Sequence, residues 1–520
     1  MVNGVLAKLI GNYKKTALVL GLLSALAFAP TYAFYLFVAS FCLAFKIADN
    51  LDSYKKICAF SYWFGFAYFI TGFYWIGNAL LVDIGSFGWL YPIALFCIGG
   101  FFGLFMIPSF AVWQYFKHCS VWSKIFAFAC VWVLLEWVRS FIFTGFPWNL
   151  LGTAFAFSDT ILQMASISGT YGLSFLALIV TGCFYAFLNG RKKSAVAVLC
   201  LLISFTVMFG MWRINGYQNT DSDIVVRLVQ PSIPQNMKWN GKALEDNFFE
   251  YVNLSAQNGL NNVDFVVWGE TALPFDIKHN YEYQEVIKKA VPTNGYLLTG
   301  VVRFDVTGGV YRPYNSMYVI DDKSNVVNFY DKNHLVPFGE YIPFRKYLPY
   351  WIRPIANSVA EFATGERFKN ITVENYQPFG ALICYEIIFP DEVINRKNKP
   401  EWLVVLTNDG WYGKSSGPYQ HLVATRLRAV EEGITIVRSA NSGISAVIDP
   451  LGRILNQIPL HKKAYSDIKL PEQKTLYTTY ANGGKKIFFS AILLILLFLL
   501  IQRRVVYYRK YKIPVDTKAI

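Results

Sequence analysis

Three ionisable side chains stand just past short apolar runs, and together they could perform covalent acyl transfer. Glu270 follows Phe265-Val266-Val267-Trp268-Gly269, Lys332 follows Tyr330-Asp331, and Cys384 follows Phe379-Gly380-Ala381-Leu382-Ile383. A thiol is the best side-chain nucleophile once it has lost its proton. A carboxylate can take that proton and later hand it to a leaving group, while an ammonium can stabilise the thiolate and a developing oxyanion. Such a set needs no metal and no cofactor. None is expected: the five histidines (His118, His279, His334, His421, His461) make no His-x-x-x-His pair, and no Cys-x-x-Cys occurs. The plainer alternatives keep Cys384 as a small core residue and Glu270 with Lys332 as a structural ion pair.

The elements that must position these residues read as a layered α/β domain. Val- and Ile-rich runs at Ile224 to Val229, Phe265 to Trp268, Tyr296 to Val302, Ser316 to Ile320, Phe379 to Ile383, Trp402 to Thr407, Thr435 to Arg438 and Ser445 to Ile448 predict strands. Leu244 to Gln257 and Gln420 to Glu432 have helical spacing. Several strands end in a polar or reactive residue, which places a site along the strand ends.

The rest of the chain is of another kind. With 54% hydrophobic and 16% charged residues, it falls below the roughly 25% charged content of soluble globular proteins. The shortfall lies before about Gly216. Eight apolar segments approach the roughly 20 residues of a membrane span: Thr16 to Ala29, Tyr32 to Phe45, Cys58 to Leu81, Phe87 to Trp113, Ile125 to Phe143, Leu173 to Leu188, Ala195 to Trp212, and Ile487 to Ile501. The first two are short and read as a hairpin turning at Pro30; a cleaved signal peptide is the weaker alternative. The expected division is a membrane domain over 1–215 with seven helices, a polar catalytic domain over 216–484, and a last helix with a basic tail over 485–520.

The net charge of +14 gathers at the ends of apolar runs, as the positive-inside rule describes. No basic stretch interleaved with stacking aromatics marks a nucleic-acid site. With the N-terminus in the cytoplasm, Lys46 to Lys56, Lys117 to Lys124, Arg191 to Lys193 and the Arg503 tail all fall inside, and both termini are cytoplasmic. The polar domain then lies outside, in the periplasm of a bacterial cell. Seven of the eight cysteines (Cys42, Cys58, Cys97, Cys119, Cys130, Cys183, Cys200) lie in or beside apolar segments. Cys384 is alone in the polar domain, and a lone thiol in an oxidising compartment points to use.

The three segments resemble the Glu-Lys-Cys triad of the nitrilase, or carbon-nitrogen hydrolase, superfamily, which implies an α-β-β-α sandwich and a second oxyanion donor at the Tyr385 backbone N–H. A closer resemblance runs along nearly the whole chain. Gly145-Phe146-Pro147-Trp148, Gln230-Pro231 with Lys238-Trp239, the segment from His334 to Pro343, Asn408-Asp409-Gly410-Trp411-Tyr412-Gly413, Gln420-His421, and Arg438 with Asn441 to Ser445 are similar to the apolipoprotein N-acyltransferase family. That resemblance implies Glu270 as base, Lys332 as oxyanion and thiolate stabiliser, Cys384 as nucleophile, and supporting or substrate-binding roles for Trp239, Glu340, Tyr385 and Glu386. For Glu340 and Glu386, a solvated charge or a helix-terminus carboxylate is the alternative. The family usually has Pro where this chain has Gly269, which predicts a looser turn before Glu270.

The implied activity is transfer of a fatty acyl group from a phospholipid, through a thioester, to the α-amino group of the diacylglyceryl-cysteine of lipoproteins. The partners would be the phospholipid donor, the diacylglyceryl apolipoprotein acceptor and the inner membrane, with the chain acting as a monomer. A membrane-tethered amidase with the same triad is the competing reading. Phe146, Trp148, Trp411 and Tyr412 would cover the site or anchor at the interface. Glu136 and Arg139, near the outer end of the fifth span, read either as functional charges or as a helix-face ion pair.

Overall fold

The computed structural model describes residues 2–218, 220–238, 241–307, 310–349, 351–355, 360–472 and 476–511. Helices fill the N-terminal part: α1 (Val2–Gly11), α2 (Tyr13–Ala25), α3 (Phe34–Asn50), α4 (Tyr54–Phe73), α5 (Ile84–Phe87), α6 (Tyr91–Gly103), α7 (Met106–Tyr115), α8 (Val121–Arg139), α9 (Asp159–Leu162), α10 (Ala165–Leu188) and α11 (Lys192–Asn215). Among the described residues six helical stretches are long and apolar enough to cross a membrane: Tyr54–Leu81, Ile84–Tyr115, Val121–Arg139, Ala165–Leu188, Lys192–Asn215 and Tyr480–Val506. The first two expected spans are present as the shorter α2 and α3, of 13 and 17 residues. The expected eight thus resolve into six full-length spans and one short pair.

Aromatic stripes at helical spacing hold the bundle. Phe37, Phe41 and Phe45 of α3 lie four residues apart and share one face. Phe41 meets Phe64 of α4 edge-on (5.1 Å between centroids), and Phe45 stacks on Trp113 of α7 (4.1 Å). Helix α2 crosses α4 at Gly21, where a Cβ would come within 2.1 Å of the Phe64 carbonyl oxygen; only glycine allows that approach.

One end of the bundle is basic and tied to itself. Lys46 donates to Asn189 (3.2 Å), Lys117 to the Leu51 carbonyl (3.3 Å) and Arg503 to the Tyr115 carbonyl (2.9 Å), and Lys124 pairs with Asp49 (2.6 Å). The opposite end meets the α/β half.

That half contains β1 (Asp221–Gln230), α12 (Leu244–Ser255), β2 (Phe265–Val267), α13 (Tyr281–Ile287), β3 (Tyr296–Thr307), β4 (Val310–Asp321), β5 (Val326–Asp331), β6 (Asn370–Val373), β7 (Tyr376–Ile383), β8 (Trp402–Thr407), α14 (Gly417–Glu432), β9 (Thr435–Ala440), β10 (Ser445–Ile448), β11 (Ile454–Ile458) and β12 (Ala464–Pro471). The final helix, α15 (Lys485–Tyr511), returns to the bundle. Two six-stranded sheets form, in the orders β12-β1-β2-β3-β4-β5 and β11-β10-β9-β8-β7-β6. In each, three neighbouring strands are parallel, β1-β2-β3 and β7-β8-β9. Parallel strands are covered on both faces, which is why β8 reads as an unbroken apolar run.

Val226, Leu228, Phe265, Val267 and Leu298 pack between the sheets against Phe379, Ala381, Ile383, Val404 and Leu406. Helices α12 and α13 cover the first sheet through Phe248, Tyr251, Val252 and Ile287. Helix α14 covers the second, through Leu422, Val423, Leu427 and Val430. The order is therefore α-β-β-α. Every residue of α14 except Tyr419 and Ala424 is buried, because the membrane bundle lies against its other side: Thr170 of α10 donates to Glu431 through its backbone N–H (2.6 Å) and its hydroxyl (2.7 Å).

Candidate active site

β2, β5 and β7 end at Val267, Asp331 and Ile383, and Glu270, Lys332 and Cys384 follow them into one buried space. β4 runs antiparallel to both β3 and β5, so β2 and β5 present the same ends on one side of their sheet. The two sheets meet there: the Glu270 N–H donates to the carbonyl of Thr407, the last residue of β8 (3.2 Å). Lys332 Nζ lies 3.5 Å from Glu270 Oε1 and 3.0 Å from Glu340 Oε1. The Asn315 amide donates to both of those oxygens, at 2.8 and 2.7 Å, so two carboxylates, one ammonium and one amide form a single cluster.

The turn before Glu270 is not loose. The Gly269 carbonyl accepts from Gly300 N–H (3.2 Å), Trp268 N–H donates to Leu298 (2.9 Å), and a Cβ on Gly269 would stand 2.9 Å from Asn441 N. The chain is pressed against the opposite sheet, and packing supplies the rigidity that proline would have given.

Cys384 begins a short 3-10 turn, Cys384–Ile388, with φ of +51°. A non-glycine residue in that region is strained and needs restraint from its surroundings. Glu386 gives one part: its carboxylate accepts from Ile383 N–H (2.7 Å), Asn333 N–H (2.8 Å), His334 N–H (3.0 Å) and the Tyr330 hydroxyl (2.9 Å). It thereby fastens the turn of Cys384 to the segment after Lys332. Glu340 likewise accepts from Val336 N–H (2.8 Å). Both glutamates are buried and bonded, which removes the solvated-charge alternative. The Tyr385 hydroxyl donates to the Gly145 carbonyl of the membrane loop (2.8 Å). Trp239 lies outside the described residues.

Burial, with the charge of Glu270 added, pushes the Cys384 thiol up to about 12 against the opposing pull of Lys332. Burial alone would lower Lys332, but the carboxylates of Glu340 and Glu270 outweigh it and raise the lysine above its usual value. At neutral pH the resting site therefore holds a protonated thiol beside a firmly charged ammonium. Nucleophilic attack needs a base at the moment of reaction.

Chains similar to this one carry a consistent set of names. Residues 20–183 match the model of the apolipoprotein N-acyltransferase N-terminal domain, and residues 225–475 match that of carbon-nitrogen hydrolase. Apolipoprotein N-acyltransferase from Rickettsia typhi is 36% identical over 89% of this chain and 93% of its own length. The chain belongs to the apolipoprotein N-acyltransferase family. The Rickettsia bellii protein of the same name is 38% identical over 90% of this chain and 94% of its own length. An amidase structure from Nesterenkonia sp. is also similar, with a TM-score of 0.36 and 16% identity over 51% of this chain and 94% of that one.

The chain ties its α/β half to its membrane half, largely through residues of the motifs given above. Glu136 and Arg139 form no ion pair with each other. Glu136 accepts from Leu151 N–H (2.7 Å) and Trp132 Nε1 (3.1 Å), and Arg139 donates to the carbonyls of Phe146 (3.0 Å) and Trp148 (2.8 Å). Both hold the loop from Gly145 to Leu151. That loop presents Trp148 to His421 at 5.1 Å and Phe146 to Tyr385 at 6.3 Å. Gln420 accepts from the indoles of Trp75 and Trp148 (3.0 Å each). Tyr412 packs on Trp75 and Trp148, whereas Trp411 has no ring partner among the described residues.

His421 and Lys238 hold the backbone carbonyls of Cys384 and Glu270. His421 lies between Asp409 (Nδ1 to Oδ1, 2.8 Å) and the carbonyl of Cys384 (Nε2 to O, 3.1 Å), with Arg438 donating to Asp409 (2.7 Å). Burial and Arg438 keep the imidazole below its ordinary pKa, and it restrains the strained Cys384 from the α14 side. The only sequence signal for it was its place in the Gln420-His421 motif. Lys238 donates to the Glu270 carbonyl and the Thr271 hydroxyl, both at 2.7 Å, and burial brings it down to about 8.

His421→Ala is expected to slow formation of the acyl-enzyme about tenfold, the worth of one lost hydrogen bond. His421→Gln keeps a donor for the Cys384 carbonyl and should recover part of that rate. Single-turnover labelling of Cys384 checks both.

Proposed function

We propose that the chain moves a fatty acyl group from a phospholipid to the α-amino group of a diacylglyceryl-modified N-terminal cysteine, by way of a thioester on Cys384. Glu270 takes the thiol proton as sulfur attacks the donor's ester carbonyl. Lys332 and the Tyr385 backbone N–H hold the oxyanion. The ester C–O bond breaks, the lysophospholipid leaves with the proton from Glu270, and the acyl group stays on sulfur. The acceptor amine then attacks the thioester, Glu270 carries its proton to the departing thiolate, and the amide product frees the enzyme.

The reading rests on one observation: a buried thiol, base and ammonium lie together beneath a loop whose carbonyls and rings belong to the membrane bundle. A hydrolase of soluble amides has no use for that connection. Exposed Phe143, Phe338, Phe344, Tyr347 and Trp351 add apolar surface beside the site, suited to an interface where lipid enters. The burial that raises the thiol also keeps water scarce, which favours the amine over hydrolysis.

The basic end of the bundle lies in the cytoplasm by the positive-inside rule. Both termini are then cytoplasmic, and the catalytic domain over 216–484 faces the periplasm of a bacterial inner membrane. The catalytic set, with Trp239, Glu340, Tyr385 and Glu386 in support, comes from one chain, and the working unit is a monomer.

Initial rates over a grid of phospholipid and diacylglyceryl-peptide concentrations test this function. The expected result is a family of parallel double-reciprocal lines, with label from the donor acyl chain in the peptide amide. Release of that label to water at the same rate with and without peptide, together with hydrolysis of small amides, would instead make the chain a tethered amidase.

A further inference from the structure

Along α3, with its polar end on the side of the bundle away from Cys384, α3, α10 and α11 enclose a groove of about 840 Å³. Val38, Cys42, Leu43, Phe184, Leu199 and Ile203 give it apolar walls, while Lys46 and Asn189 supply its polar end. We propose that this groove binds one anionic glycerophospholipid, with an acyl chain along α3 and the phosphate on Lys46. This site is separate from the one that feeds Cys384.

Dimensions and charge both support that occupant. Tyr35 and Lys46 mark the two ends of the groove along α3, and eleven residues of helix rise about 16 Å, the reach of a long part of one acyl chain. The volume lies within the roughly 300–1,000 Å³ of sites that hold small ligands. Lys46 is exposed, and its one hydrogen bond is to the neutral Asn189. It has no carboxylate within ion-pair distance among the described residues. The nearby Asp49 is already matched by Lys124 (2.6 Å), so the groove mouth is positive. Two residues past Asn189 the chain continues with Arg191, Lys192 and Lys193, which strengthens that sign. An anionic headgroup gains from such a cluster, whereas a zwitterionic one gains little.

A lipid held here cannot be the acyl donor. The α3 end nearest the active site adjoins Ala29, whose carbonyl accepts from Gln420, and Lys46 stands about 18 Å further along the helix axis from Phe34. The lipid therefore comes from the leaflet opposite the catalytic domain. It fills a seam that α10 and α11 leave open against α3, so its effect is on packing of the bundle.

Native mass spectrometry of the full chain, released from nanodiscs of phosphatidylglycerol mixed equally with phosphatidylcholine, tests the site. The wild-type chain should retain one phosphatidylglycerol in preference to phosphatidylcholine. Lys46→Ala should weaken that preference about fivefold, the effect of one basic side chain at a membrane surface, and Lys46→Glu should abolish it. Ala39→Trp, which fills the groove from an exposed position, should remove the retained lipid whatever its headgroup. Acyl transfer from detergent-dispersed donor serves as the folding control and should stay unchanged in all three. Equal retention of the two lipids by the wild-type chain, or unchanged retention in Lys46→Glu and Ala39→Trp, would mean annular lipid only and overturn the proposal.

Discussion

Cys384→Ala is expected to keep its unmodified mass after incubation with phospholipid, while the wild-type chain gains one fatty acyl group that hydroxylamine removes. Glu270→Gln separates the proposed nucleophile from its proposed base. In the resting site the thiol stands at about 12, raised by burial and then by the Glu270 charge, with Lys332 opposing. Neutralising Glu270 removes a negative charge that disfavours the thiolate, so the thiol of the variant should ionise at lower pH than in the wild type. Alkylation by a small reagent should then be faster in Glu270→Gln at neutral pH, rising with pH in both proteins. Acylation by phospholipid should nevertheless fall by about 10²–10⁴-fold, the usual contribution of a positioned general base. A variant more reactive to the small reagent and far less reactive to lipid would identify Glu270 as the proton carrier. Equal losses in both assays would make it a structural partner of Lys332.

The second large effect is expected at Glu386. Its carboxylate receives four hydrogen bonds, from buried Ile383 and Tyr330 and from half-buried Asn333 and His334. Glu386→Ala would leave two buried donors without an acceptor, at about 1–3 kcal/mol each, and two half-buried ones at less, a large share of the stability of a domain. A fall in thermal midpoint of many degrees should therefore accompany loss of activity. Glu386→Gln retains one oxygen but sets an amide N–H2 against donors, so it should fold with a smaller loss of stability. If it also places Cys384 wrongly, acyl-enzyme formation should drop well beyond that loss. Thermal melting in detergent beside single-turnover acylation distinguishes the two effects, and normal acylation in a destabilised Glu386→Gln would restrict the residue to a structural part.

How much of this was legible in the sequence varied with the physics of each part. β7 and β8 were readable because parallel strands buried on both faces carry unbroken apolar runs. β4 was readable only from Ser316 to Ile320, since its first half carries Arg312, Pro313 and Tyr314, and β3 likewise extends beyond the expected Val302 to Thr307. Their outer halves pair with each other away from the core. Glu270, Lys332 and Cys384 stood out because each is a reactive residue type just past a short apolar run. Asn315 did not, although it bridges two of the carboxylates, because nothing in a polar residue within a strand tells which cavity it faces. His421 was legible only as part of a motif, because its partner Cys384 lies 37 residues away along the chain, and Arg139 was singled out as a charge in a span but not as the donor to the Phe146 and Trp148 carbonyls. The first two helices were seen as short, and they are.

Helix α14 carries a final implication for how such an enzyme came to be, and how far it can be dismantled. In a free-standing sandwich the outer helical layer would have a water-compatible face. Here that layer is also the inner lining of the membrane half, with Arg426 and Glu431 bonded to Ala156 and Thr170 instead of to solvent. Cutting the chain near Gly216 and Gly484 would strand those charges and uncover apolar surface on the very helix that braces the turn of Cys384. The two halves have lost the option of separate lives: a soluble catalytic fragment would need a rebuilt α14, and lipid must come to a fixed active site because the domain has no freedom to reach for it.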